Sequence, residues 1–186
     1  MDAPQHVLVG YDGSPLSEMA LNRAFRMVEH ARFALIHVVC VVQDGPGATV
    51  RLPTGMAMSR WAALDSIRLM VFAVSEPWRA ASPQARVIVH LRTGDVSHAL
   101  VDFAYRFHID QIVLGTHGHG VTPSAQVGSV CSGVLSLTDI PTHLEAPLTS
   151  VPPFTAAQTL SWANLSEDAK LSVGVYAMRT KVRPRA

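Results

Sequence analysis

Between Gly115 and Ser129 the chain reads GTHGHGVTPSAQVGS, the segment whose residue types are best suited to chemistry. Gly115 and Gly118 lie three residues apart where an apolar run ends, and Gly128-Ser129 leads into a helical pattern. Glycine has no Cβ, so the backbone there can approach a phosphate closely. Free N–H groups at the start of the following helix point at an anion, and the helix dipole favours its charge. Ser129 adds a hydroxyl donor. Spacing alone fits an anion-binding loop and, equally, a loop whose glycines serve only tight turns. His117 and His119 form an H-x-H pair, but no clustered third ligand accompanies them, which argues against a metal chelated by the pair. Asp12, in the turn Tyr11-Asp12-Gly13, is an acidic group that could cap a helix or meet a ligand.

Two better-known phosphate motifs are excluded. A P-loop needs Gly-Lys-Ser/Thr, and the chain's two lysines, Lys170 and Lys181, both lie near its C-terminus. The G-x-G-x-x-G pattern is missing from the first strand–helix turn, which reads GYDGS.

The elements that must position these residues alternate. His6–Gly10 is a short apolar strand, and Ser14, Pro15 and Glu18 mark a helix start. Leu21, Ala24, Phe25 and Val28 form that helix's apolar face. Phe33–Val42 reads as a second buried strand, and Gln43–Gly55 as a long Gly/Pro-rich loop. A helix is expected from Met56 to about Arg79, ended by Pro77 or just before it. Arg86–Leu91 is a third strand, with Asp95 capping a helix of period Val96, Ala99, Leu100, Phe103, Ala104, Phe107. Gln111–Gly115 is a fourth strand, and a helix is expected from Ser129 to about Leu137. Alternating strands and helices imply an α/β fold: one open, mostly parallel sheet with helices on both faces. Ligands of such sheets bind at the carboxyl ends of the strands, where Gly10 and Gly115 fall.

Composition narrows the class. Hydrophobic residues are 48% and charged residues 16%, with a formal net charge of +1. That balance points to neither nucleic acid nor an anionic membrane as partner. Cys40 and Cys131 form no disulfide framework. MDAPQH carries no basic-then-apolar leader, and no apolar run nears the ~20 residues of a membrane span. A cytoplasmic protein is the expectation.

Gly115, Gly118, Gly128 and Ser129 reproduce a pattern of glycine, two residues, glycine, nine residues, glycine, then Ser or Thr. Together with VLVGYDGSPLSEMAL, the TGD at Thr93–Asp95 and IVLGTHGHG, this resembles the universal stress protein family over about His6 to Pro141. The resemblance implies a nucleotide-binding domain over residues 1–146, in the branch that binds ATP or a related ADP or AMP, and commonly a homodimer. It implies that Gly10 and Asp12 face the nucleotide, with Asp12 near the ribose or a phosphate-bound Mg²⁺. It places Val38 at the adenine pocket through backbone contacts, and Leu114 against the base or ribose. Gly115, His117, Gly118, Gly128, Ser129 and Val130 would surround the phosphates and ribose.

Two features depart from that family. Its fifth strand follows a proline and is rich in Val, Ile and Leu. Here Pro141 is followed by Thr142-His143-Leu144-Glu145, a poor strand that would weaken the dimer contact this strand commonly joins. Residues 147–186 form an extension with no counterpart in a minimal domain. Three functions are compatible: a nucleotide-dependent regulatory stress-response module with a protein partner, a slow ATPase or phosphotransferase, and a degenerate member acting through protein contacts alone. The missing lysine favours the first over the second.

Overall fold

A computed structural model of the protein describes residues 5–118 and 127–146. The 147–186 extension, His119 and the loop to Gln126 lie outside the described residues. Strands β1 (Gln5–Gly10), β2 (Ala34–Asp44), β5 (Ala85–Thr93), β6 (Gln111–Gly115) and β7 (Thr142–Glu145) pair in parallel, in the order β5-β2-β1-β6-β7. Helices α1 (Pro15–Met27) and α2 (Arg60–Ser75) cover one face; α4 (Val96–Arg106) and α5 (Ser129–Leu137) cover the other.

Side-chain alternation divides the core between these faces. Val7, Val9, Ile36, Val38 and Cys40 pack with Leu21, Ala24 and Phe25 of α1 and Ile67 of α2. Leu8, Val39, Val41, Ile112 and Leu114 pack with Leu100 and Phe103 of α4 and Val134 of α5. The helices begin where the sequence supplies caps. Ser14 Oγ accepts from the Ser17 amide at 3.2 Å, and Asp95 Oδ1 from the His98 amide at 3.0 Å. Among the described residues no helix is long and apolar enough to cross a membrane.

Three expectations are corrected. The 43–55 stretch is not one loop: β2 runs on to Asp44, and β3 (Thr49–Arg51) pairs antiparallel with its end and with β4 (Ala57–Ser59). Gly47 (φ 65°) and Gly55 (φ 88°) make the turns, and Val50 and Leu52 are buried beneath them. The following helix therefore starts at Arg60, with Ser59 as its cap, and ends at Ser75. Pro77 opens the separate one-turn helix α3 (Trp78–Ala81). Finally, the polar THLE stretch does form a strand. Its backbone is held to β6 by Ile112 N–H to Pro141 O (2.9 Å) and Thr116 N–H to Glu145 O (2.8 Å). Half-exposed polar residues suit an edge strand, because the ladder uses backbone groups whatever the side chains.

Ile112 is fully buried in β6. Ile112→Ala should destabilise the domain by about 2–5 kcal/mol through lost burial and a residual cavity, measured as a lower urea midpoint at unchanged slope.

Candidate functional site

In the parallel sheet the chain winds outward from β1 through β2 to β5, then returns to β1's other side for β6 and β7. Where the direction reverses, the helices after β1 and β6 depart to opposite faces, and a crevice opens at the strands' carboxyl ends. A cleft of about 280 Å³ lies there.

One wall of the cleft is apolar: Val39 and Val41 from β2, Val96 and Leu100 from α4, and Pro53 from the β3–β4 turn. The floor is Gly10, Leu114 and Gly115. The remaining side is polar, with Asp12, Ser14, Thr116, His117, Gly118, Gly128 and Ser129. Of the residues singled out by sequence, Gly10, Asp12, Leu114, Gly115, His117, Gly118, Gly128, Ser129 and Val130 come together here. Val38 has its fully buried side chain on the α1/α2 face, which leaves the backbone contact expected of it untouched, and its neighbour Val39 supplies the side chain that lines the cleft, because a one-residue step along a strand changes faces. Arg92, near the carboxyl end of β5, is not among the lining residues, and its guanidinium lies 5.2 Å from the centre of the Phe103 ring.

Close approaches explain the glycines. A Cβ on Gly115 would sit 2.7 Å from Leu16 Cβ and 2.9 Å from the Leu16 carbonyl carbon, so this glycine lets the first turn of α1 press against the end of β6. A Cβ on Gly118 would run into the Asp12 carboxylate. A Cβ on Gly128 would lie 2.7 Å from the Thr116 carbonyl oxygen, to which the Gly128 N–H itself donates at 3.0 Å. That bond joins the two ends of the glycine segment. A second tie, from Cys131 Sγ–H to Gly115 O at 3.1 Å, pins the first turn of α5 to the same strand end.

Gly128 caps α5 without a side-chain hydrogen bond, and the first turn carries no acidic residue. The helix therefore presents its amide end beside Ser129 and Val130, which line the cleft. Asp12 Oδ1 accepts from the Ser14 amide at 2.9 Å, which orients the carboxylate and tightens the turn before α1. No lysine or arginine is among the described residues lining the cleft. Nor does any group of three or more His, Cys, Asp or Glu among the described residues suit a metal ion alone. One carboxylate beside open amides fits Mg²⁺ carried in by phosphates, which usually keeps waters and needs few protein oxygens. Burial pushes the Cys131 thiol up to about 11, so it is a protonated donor and not a nucleophile at neutral pH.

Val39 and Val41 could have been found from strand parity, and Leu100 from its helical period. Pro53 had no such signal, since only the β3–β4 fold-back brings it to the cleft. Asp12→Ala should lower stability by about 1 kcal/mol without any ligand, because the Ser14 amide loses its acceptor. Asp12→Asn, which keeps an oxygen there, should recover most of that loss in thermal unfolding.

The universal stress protein family model matches residues 4–144. Universal stress protein A homolog 1 of Coxiella burnetii (strain RSA 493 / Nine Mile phase I) is 29% identical over 119 residues, covering 62% of this chain and 78% of that protein. The fold is similar to that of a universal stress protein in complex with cAMP (TM-score 0.52, 20% identity, covering 78% of this chain and 98% of the other). It is similar also to the universal stress protein from Archaeoglobus fulgidus in complex with dAMP (TM-score 0.53, 16% identity, covering 78% and 99%). The family model spans most of the chain and the parallel sheet up to Leu144 in β7, and the chain belongs to the universal stress protein family.

Proposed function

We propose that this protein binds ATP, or the related ADP or AMP, in the cleft and acts as a cytoplasmic regulatory module in a stress response. The observation that carries the reading is a division within one crevice. An apolar wall of Val39, Val41, Pro53 and Leu100 faces the amide end of α5 across Asp12 and the glycine turns. The wall suits an adenine ring, which has two apolar faces. Asp12 and Leu114 would then meet the ribose, and Asp12 would be the residue to hold a phosphate-bound Mg²⁺. Gly115, His117, Gly118, Gly128, Ser129 and Val130 surround the phosphates. Relatives of the same fold complexed with cAMP and dAMP support an adenine nucleotide as the ligand class.

Regulation fits this site better than efficient phosphoryl transfer. Transfer depends on charge stabilisation of the moving phosphoryl group. Here the described cleft offers amides, hydroxyls, the His117 imidazole and one carboxylate, with no lysine or arginine, leaving Mg²⁺ as the main source of positive charge. The nucleotide then serves as a bound signal, read by a homodimer or another protein.

Calorimetric titration with ATP and Mg²⁺ tests this reading. The parent protein should bind, and a Gly118→Val/Ser129→Ala variant should bind at least about tenfold more weakly, having lost a charge-assisted donor and gained a side chain against Asp12. A folded parent that gives no binding heat and no thermal shift with MgATP would overturn it.

A further inference from the structure

Three histidines from neighbouring strands form a row beneath α4. His37 Nδ1 lies 3.2 Å from His90 Nε2, and His37 Nε2 lies 3.2 Å from His6 Nδ1. The ring planes are inclined by only 20° and 16°, with centroids 5.3 Å apart in both pairs, as in-plane hydrogen bonds require. His37 is 3% exposed. Phe103 of α4 lies 4.6 Å from His90 and 5.6 Å from His37, and Phe107 lies 5.8 Å from each, so the row's lid is the apolar face of α4.

We propose that the His6–His37–His90 row is a proton-operated latch for α4: neutral, it holds the helix on the sheet; on proton uptake, it lets the helix go.

Proton counting gives the reason. A neutral imidazole has one N–H, so His37 donates along one bond of the row and accepts along the other. One extra proton on an outer ring leaves both bonds intact. A second cannot be accommodated: His37 keeps at least one N–H, and any doubly charged arrangement sets an N–H against an N–H. Burial therefore disfavours the charged forms most, followed by the neighbouring rings. It holds His37 down to about 3, with His90 and His6 adding to the effect. His90 is held down to about 4, with the Arg92 cation adding to its burial.

Charged groups among the described residues surround the row. Asp110 accepts from the His6 backbone amide at 2.7 Å. Arg92 lies over Phe103, and Arg60, which donates to Leu91 O at 3.4 Å, lines one cleft with His90 and Arg92, so the cations beside the row disfavour its protonation further. Asp102, Tyr105 and Arg106 of α4 are exposed.

With α4 lifted, the histidines would titrate near their ordinary value of about 6.5. The lifted form thus binds more protons than the docked form. The latch is fully set above pH ~6.5 and loses strength as pH falls toward the docked values. Each histidine so held raises the opening constant about tenfold per pH unit in that window. Val96 and Leu100 of α4 also wall the cleft, so lifting the helix would remove part of any ligand's seat.

Native-state hydrogen exchange of the ligand-free full chain, expressed as protection factors between pH 7.5 and 5, tests the latch. Below pH ~6.5 the opening constant of α4 should rise about tenfold or more per pH unit relative to that of α1, and above it the ratio should stay level. His37→Gln keeps one donor and one acceptor but cannot titrate, and should remove about tenfold per unit of that rise. His30→Gln, at an exposed histidine, should leave it unchanged. Should His37→Gln fail to fold, ring NMR of the parent decides: a His37 still neutral at pH 5 supports the latch. A parent whose α4 and α1 protection fall in parallel, or a His37 titrating near 6.5, overturns it. No nucleotide is present, so this outcome is independent of calorimetric binding.

Discussion

From Ala34 to Val42 every residue of β2 is buried, and a strand buried on both sides must lie inside a sheet that helices cover above and below. The remaining architecture follows from that requirement. β1 and β5 flank β2 in parallel, each parallel connection needs a crossover, and the crossovers supply the covering helices. The chain then has to return to the free side of β1 to complete the sheet. That return opens the crevice at the ends of β1 and β6. The site is a by-product of sheet closure, and the glycines adapt it to close backbone approach.

What lines the crevice is mostly backbone and small side chains. Glycines at Gly115 and Gly128 are required by Leu16 and by the Thr116 carbonyl before any ligand is considered. Packing and binding therefore demand the same residues, and the spacing pattern marks both. Gly118 differs, since the group its missing Cβ makes room for is the Asp12 carboxylate, a side chain with functional chemistry. The two segments richest in family-like residues, around Asp12 and around Gly118, meet at that contact.

Much of this was legible in the chain. The bounds of β6 and α5 were readable because a compact apolar run ends in glycine and the next helix begins at Gly128-Ser129. The first helix was readable from Ser14, Pro15 and Glu18. The β3–β4 hairpin was not, because its strands are three residues each and three glycines and two prolines nearby look like loop. Strand β7 was hidden by its polar composition, since nothing in THLE advertises the backbone ladder that holds it. Val38 was expected at the pocket through its backbone, and strand parity turns its side chain to the other face and gives Val39 and Val41 as the side chains of the wall. The histidine row lay beyond sequence reading altogether: His6, His37 and His90 are far apart in the chain, and only the strand order makes them neighbours.

The bond from Gly128 N–H to the Thr116 carbonyl makes the chain between them a closed ring with a fixed clasp. The entropy of closing a ring grows slowly with its circumference, about 0.6 kcal/mol for each doubling of length. The fold is thus nearly indifferent to how many residues the ring contains. If the count from Gly118 to Gly128 is narrowly kept among related chains, closure of the clasp does not demand it, and the spacing answers to something other than the stability of the fold.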